Sequence, residues 1–206
     1  MPETTGAAGT AAKAELSGAE ALVRKGFRYG NKFMLLMWRL GLQRFGMSNP
    51  YMGYIMVLTH TGRKSGLPRR TPVNFAVING DVYCVAGFGA VADWYRNLLA
   101  DPHVQVWLPD GSWWAGEAED VSSLGDEQRL PLLRQVLINS GFAAYAAGLD
   151  PRTMSDAALA TATSGYKLVR IRLAEPRTGA GGPSDLAWVW PVVALGLAIL
   201  WVRRKK

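Results

Sequence analysis

The chain has 206 residues and a formal net charge of +7, and four of the positive charges stand together at the end as Arg203-Arg204-Lys205-Lys206. The rest of the chain therefore carries only +3, which does not indicate a nucleic-acid-binding protein. Cys84 is the single cysteine, so an intrachain disulfide and a cysteine metal cluster are excluded. His60 and His103 are too far apart in sequence to indicate a metal site.

The first part of the chain predicts little structure. Residues 1–20 are small and polar, which predicts a disordered N-terminus without a secretory signal. Residues 33–45, FMLLMWRLGLQRF, predict a helix with scattered basic residues. Its apolar side either packs on the core or lies against lipid headgroups, and we favour core packing.

The middle of the chain predicts an antiparallel sheet with short helices. Asn79-Gly80 and Pro109-Asp110-Gly111 are hairpin turns. The predicted strands cover 54–60, 72–80, 81–87, two strands either side of 109–111, and 166–175. The predicted helices cover 92–102, 126–148 and 154–160, the last beginning at Ser155. Five or six strands joined by hairpins predict a small barrel.

The C-terminal part predicts a membrane anchor. A Gly-rich linker at 176–185 follows the barrel domain, which we place at 21–175. Residues 186–202 carry no charge, have tryptophans near both ends and precede the basic tail 203–206. This pattern predicts a transmembrane helix, with a buried C-terminal helix as the alternative. We expect a cytoplasmic domain held at the membrane, although the positive tail alone favours the opposite orientation.

A basic segment at 59–72, THTGRKSGLPRRTP, predicts an anion site. Arg63, Lys64, Arg69 and Arg70 stand near two glycines, and such a loop can surround a phosphate with side-chain and backbone donors. The alternative is a solvated hairpin loop. The order of residues is not that of a Walker loop.

A glycine-rich segment at 87–92, GFGAVA, matches the spacing of a dinucleotide fingerprint. The flanking strands turn back as hairpins, however, so we favour close approach of the backbone to a flat ring. No paired carboxylates stand out elsewhere. The chemistry is therefore expected to come from a cofactor, if there is any.

The segments LTHTGRKSGLPRRTPVNF, NGDVYCVAGFGA and DWYRNLLADPHVQV together resemble the deazaflavin-dependent nitroreductase family, which comprises split-barrel oxidoreductases dependent on coenzyme F-420 (hereafter F420). The resemblance covers about 33–173. It implies a mainly β (α+β) split β-barrel of the FMN-binding type with short flanking helices. It also implies hydride transfer from reduced F420 to a quinone, a nitroaromatic compound or a similar activated acceptor.

The resemblance also implies which residues bind the cofactor. The phosphate and the acidic tail are assigned to Gly62, Arg63, Lys64, Ser65 and Arg69, with Arg70 as an additional cation. Pro72 is assigned a place beside the ring, Ala86 and Gly87 line its edge, and Trp94 and Asn97 match cofactor contacts on the short helix. Asn74 stands where a substrate-facing tyrosine is common, and Phe142 and Tyr145 are candidate lids over the substrate or, equally, ordinary helix core.

Two departures from the family pattern concern the ring. Phe88 replaces a lysine, and Asp93 directly precedes Trp94, where an acid is expected to weaken binding of an anionic ring. FMN is the alternative cofactor, although its single phosphate needs fewer cations. A non-catalytic membrane-tethered cofactor-binding protein is the other alternative, and a homodimer is expected from the family.

Overall fold

The computed structural model describes residue 26 and residues 29–45 and 48–205. Its centre is a closed barrel of six antiparallel strands in the order β1-β2-β3-β6-β5-β4, with β4 pairing back onto β1. The strands are β1 (Ile55–Thr61), β2 (Pro68–Ile78), β3 (Asp81–Ala86), β4 (His103–Trp107), β5 (Trp113–Asp120) and β6 (Lys167–Pro176). The predicted split-barrel fold is confirmed, whereas residues 1–20 lie outside the described part of the chain.

Short helices flank this barrel. Helix α1 covers 29–39 in the described residues, and short 3-10 turns occupy Leu42–Arg44 and Gly89–Val91. The remaining helices are α2 (Asp93–Ala100), α3 (Asp126–Asn139), α4 (Phe142–Ala146), α5 (Asp156–Ala162) and α6 (Val189–Arg204).

The hairpin turns follow from local backbone chemistry. Asn79 and Gly80 both have positive φ, at 54° and 88°, as a two-residue turn of the primed type requires. Gly111 closes the β4–β5 turn with φ 88°. Ser155 caps α5, because its side chain accepts a hydrogen bond from the backbone N–H of Ala158.

The first hairpin differs from the prediction. Strand β2 begins at Pro68, so Arg69 and Arg70 belong to a strand instead of a loop. Thr61 pairs with Pro68, and only Gly62–Leu67 turn the chain. Because side chains alternate along a strand, Arg69 and Arg70 point to opposite faces.

The predicted helix over 126–148 is two helices. Gly141 interrupts it with φ +53°, and a Cβ atom there would lie 2.5 Å from the carbonyl oxygen of Tyr51. The chain therefore turns at Ser140–Gly141 so that α3 can pack against the barrel. This contact is anchored by the Tyr54 N–H, which donates to the Asn139 carbonyl over 2.7 Å.

The C-terminal segment lies on the barrel wall. Arg177 stacks on Trp113 at 5.2 Å from the ring centroid, and Gly182 lies directly against the same ring. Arg39 of α1 holds Asp185 with two parallel hydrogen bonds of 2.9 and 3.0 Å. Residues 177–188 thus form a strap along the barrel wall.

The transmembrane helix predicted over 186–202 is not supported. Residues 186–188 belong to turns tied to α1, and α6 covers 16 residues that include Arg203 and Arg204. Such a helix is about 24 Å long, short of the roughly 30 Å hydrocarbon layer. In the described part of the chain, no helix combines the length and apolarity that a bilayer crossing requires.

Replacing Leu133 by alanine tests the packing of α3. Leu133 is fully buried among leucines of α3 and α5, so Leu133→Ala is expected to lower the free energy of unfolding by about 2–5 kcal/mol. Leu99→Ala is the matched control, because Leu99 is 60% exposed and its loss is expected to cost no more than about 0.5 kcal/mol. Urea unfolding of the full chain measures both, and equal stability of the two variants would contradict this packing.

Candidate functional site

Two adjoining cavities lie along the β1–β2 hairpin. The first, of 850 Å³, is lined by the basic turn and the start of β2. The second, of 1070 Å³, is lined mostly by apolar residues, which come from α1, β2, the segment 87–94, α3 and α4. Thr71, Asp93 and Trp94 line both cavities, so they mark the junction.

The tip of the hairpin is built from tight backbone hydrogen bonds. The Gly62 N–H donates to the Leu67 carbonyl over 2.9 Å, and the Gly66 N–H donates to the Gly62 carbonyl over 2.8 Å. A Cβ at Gly62 would lie 2.9 Å from the Ser65 hydroxyl, and Gly66 has φ +65°. Glycine at both positions therefore permits this turn.

The four cations of the basic segment have different environments. Arg63 pairs with Asp93 over 3.0 Å, and Arg70 stacks 4.5 Å from the centroid of Trp107 while donating to the Gly181 carbonyl. In the described residues Lys64 and Arg69 form no ion pair. They are therefore the cations best placed to bind an anion in the first cavity.

A buried polar row stands behind this cavity. His60 is 4% exposed and Asn97 is 6% exposed. The His60 ring lies 3.1 Å from the Asn97 amide nitrogen and 3.1 Å from the Thr71 hydroxyl. The pKa of His60 is lowered to about 4, mainly by burial and also by the charge of Arg69, against an opposing hydrogen bond with the Thr61 backbone. The imidazole is therefore neutral at pH 7.

The second cavity is mostly apolar and has few polar groups. Pro72 and Asn74 of β2 face it, together with Gly87 after β3 and the half-buried Trp94 of α2. Tyr166 lies against Gly87, about 3.8 Å from where a Cβ would be. Burial raises the pKa of Tyr166, so its hydroxyl keeps its proton and can donate to an oxygen acceptor.

The structure brings most of the predicted cofactor residues to these two cavities. The first cavity is lined by Gly62, Arg63, Lys64, Ser65, Arg69, Arg70 and Asn97. The second is lined by Pro72 and Gly87, with Trp94 at the junction. Ala86 is buried without lining either cavity.

Of the predicted substrate residues, some line the apolar cavity and others do not. Asn74 lines the apolar cavity, and its amide lies 3.4 Å from the Tyr54 carbonyl. Phe142 and Tyr145 are 69% and 50% exposed and do not line it, whereas the alanines of the same helix do. Their role as lids stays a prediction.

Sequence reasoning passed over several residues that line the site, among them His60, Thr71 and Tyr166. From the sequence alone, His60 is interpreted as an ordinary loop or strand-end residue, and Thr71 as one residue of a basic loop. The useful signal is the strand register: His60 pairs with Arg69, and Thr71 pairs with Leu58. With β2 begun at Pro68, His60 and Thr71 stand beside the anion cavity.

Buried neutral His60 predicts a pH-dependent stability. Its pKa rises from about 4 in the folded state to the ordinary 6.5 on unfolding, so between these values the unfolded chain binds a proton that the folded chain does not. The free energy of unfolding is therefore expected to fall by up to about 3 kcal/mol as the pH drops from 6.5 to 4. Urea unfolding at several pH values checks this, and His60→Gln should remove the contribution. If the free energy of unfolding changes with pH equally in the parent protein and in His60→Gln, this prediction is wrong.

Several solved structures resemble the chain in fold. They include a conserved hypothetical protein from Mycobacterium tuberculosis, with 20% identity, a TM-score of 0.41, and coverage of 63% of this chain and 85% of that one. A heme storage protein from Vibrio cholerae has 14% identity, a TM-score of 0.42, and coverage of 66% and 87%. A protein described as an F420 reductase has 15% identity, a TM-score of 0.40, and coverage of 62% and 92%. At these scores the structures carry no argument about this chain.

The sequence comparison is stronger. Residues 41–154 match the model of the family described as F420H(2)-dependent quinone reductase. The match covers more than half of the 206 residues and includes both strands of the basic hairpin, helix α2 and helix α3. The chain therefore belongs to the F420H(2)-dependent quinone reductase family and uses F420 as its cofactor.

Proposed function

We propose that this F420-dependent reductase transfers a hydride from reduced F420 to an apolar, quinone-like acceptor. The observation that carries the proposal is the junction of a cation-lined cavity with a larger apolar cavity at Thr71, Asp93 and Trp94. A cofactor with an acidic tail and a flat ring needs both environments next to each other.

The first cavity fits the acidic end of the cofactor. Lys64 and Arg69 have no carboxylate partner in the described residues, so an incoming phosphate or carboxylate does not have to displace one. Ser65 lies 3.5 Å from Arg69 and adds a hydroxyl donor. Arg63 keeps Asp93 compensated, which removes the repulsion that the sequence predicts between Asp93 and an anionic ring.

The second cavity fits the ring and an acceptor beside it. F420 supplies the hydride when it is bound. Pro72, Gly87 and Trp94 offer apolar and backbone surfaces that orient a flat molecule and exclude water. Asn74 and Tyr166 offer the few hydrogen-bond donors on this wall, and they suit the carbonyl oxygens of a quinone.

Binding of F420 tests the proposal first. Fluorescence titration of the full chain is expected to show binding of F420 in preference to FMN, because the longer acidic tail meets both free cations. Lys64→Ala and Arg69→Ala are each expected to weaken F420 binding about tenfold, or about 1.4 kcal/mol. Added salt is expected to reduce the difference in F420 affinity between the parent protein and these two variants.

Arg152→Ala is the matched control, because Arg152 is exposed and lies outside both cavities. Its F420 affinity is expected to match that of the parent protein. If F420 does not bind below about 100 μM, which is weak for a cofactor, the proposed function is wrong. If it binds equally well to the Lys64 and Arg69 variants, the assignment of the first cavity is wrong.

Replacing Asn74 tests the acceptor side. Asn74→Leu removes one hydrogen-bond donor from the apolar cavity, so kcat/KM for a soluble quinone is expected to fall roughly three- to tenfold. The dissociation constant of F420 is expected to stay the same. Steady-state oxidation of reduced F420 by a quinone and by a nitroaromatic compound measures the effect on both acceptor classes.

Val77→Ala serves as the control for this experiment, since Val77 lies on the same strand with a side chain that is 56% exposed. A loss of activity in Val77→Ala equal to that in Asn74→Leu would indicate a general disturbance of β2. Turnover with nitroaromatics alone would refute the quinone as the acceptor.

A further inference from the structure

Four polar side chains form a continuous hydrogen-bonded row along the wall of the anion cavity, in the order Arg63, Asn97, His60 and Thr71. Arg63 donates to the Asn97 carbonyl oxygen Oδ1 from its backbone N–H over 3.2 Å and from Nη1 over 2.9 Å. The row continues through the two contacts of the His60 ring, and it ends at the junction of the two cavities.

The chemistry of these groups fixes the direction of every hydrogen bond in the row. Because Asn97 Oδ1 accepts two hydrogen bonds from Arg63, the Asn97 amide nitrogen must be the atom that faces His60. An amide NH₂ group can only donate. His60 Nδ1 therefore accepts from Asn97 over 3.1 Å.

A neutral imidazole with an accepting Nδ1 carries its proton on Nε2. His60 Nε2 therefore donates to the Thr71 hydroxyl oxygen over 3.1 Å. A protonated ring would direct an Nδ1–H against the Asn97 amide hydrogens, and it would place a cation near Arg69. The geometry thus requires the neutral ring and this tautomer.

The consequence concerns the proton of the Thr71 hydroxyl. Its oxygen accepts from His60, and in the described residues the Thr71 hydroxyl has no other hydrogen-bond partner. Thr71 is half-buried on β2 and lines both cavities. Its O–H is therefore left to donate to a group that enters the junction.

We propose that Arg63, Asn97 and His60 form a directional relay that holds the Thr71 hydroxyl as a hydrogen-bond donor to an acceptor oxygen of bound F420, between its ring and its acidic tail. The inference rests on the proposed function for the placement of F420. Thr71 is then the residue that contacts the cofactor, and His60 is a positioning residue that acts through it.

Dissociation constants of F420 test the relay. Thr71→Val keeps the shape of the side chain and removes the donor, so the dissociation constant is expected to rise five- to tenfold. Thr71→Ser restores the hydroxyl and is expected to stay within twofold of the parent protein. If the parent binds F420 and Thr71→Val binds it equally well, the relay is refuted while the proposed function stands. If the parent does not bind F420 at all, the proposed function fails.

A double-mutant cycle separates positioning from a merely structural role. His60→Leu removes the group that fixes Thr71, so it is expected to raise the dissociation constant by a similar factor. Adding Thr71→Val to His60→Leu is then expected to change it by less than twofold. If the double variant raises the dissociation constant by the product of the two single factors, the two residues are not coupled and the relay is refuted.

The tautomer of His60 gives a readout that needs neither cofactor nor variant. Long-range ¹H–¹⁵N spectra of the full chain at pH 7 distinguish a protonated Nε2 from a protonated Nδ1. A ring protonated at Nε2 alone is the expected result. A ring protonated at Nδ1, or at both nitrogens, would refute the relay even if His60→Leu fails to fold.

Discussion

The antiparallel pairing of β1 with β2 is the constraint on which the candidate site depends. The register sets His60 opposite Arg69 and leaves Gly62–Leu67 to turn the chain. A slip of one residue would exchange the faces of Arg69 and Arg70. The guanidinium that is available to an anion would then lie against Trp107, and the cavity would face the other side of the strand.

The same hairpin must keep four like charges close together without a ligand. The protein achieves this by giving two of them partners of different kinds. Asp93 neutralises Arg63, and the indole of Trp107 with the Gly181 carbonyl holds Arg70. The stacking of Arg70 on Trp107 and its bond to the Gly181 carbonyl indicate that this cation serves the packing of the barrel wall, and burial lowers its pKa. Of these four cations, Lys64 and Arg69 are thus the two that are available to bind an anion.

Local chemistry was sufficient to predict the two later hairpin turns, the start of α5 and a small antiparallel barrel, but not the bounds of the β1–β2 hairpin. Asn79-Gly80 and Gly111 specify their turns through positive φ, and Ser155 specifies the start of α5. What could not be predicted depended on contacts between distant segments. The break at Gly141 is set by its close approach to Tyr51, and the last helix begins only at Val189 because α1 holds the turns before it.

The candidate site shows the same division. The basic segment and the residues around Trp94 are recognisable from sequence, because their charge and spacing are local. The roles of His60 and Thr71 are not, since a histidine in an apolar strand carries no sign of its partners. Only the register and the approach of α2 place Asn97 beside it.

The strap has a consequence for how the barrel behaves in water. Arg177 and Gly182 of the strap lie against the ring of Trp113, and the Gly181 carbonyl holds Arg70, which stacks on Trp107. A protein cut after β6 would lose Arg177, Gly181 and Asp185 together, and the ring of Trp113 would become more exposed to water. The residues between β6 and α6 therefore shield apolar surface of the barrel wall, although they belong to no strand of the sheet.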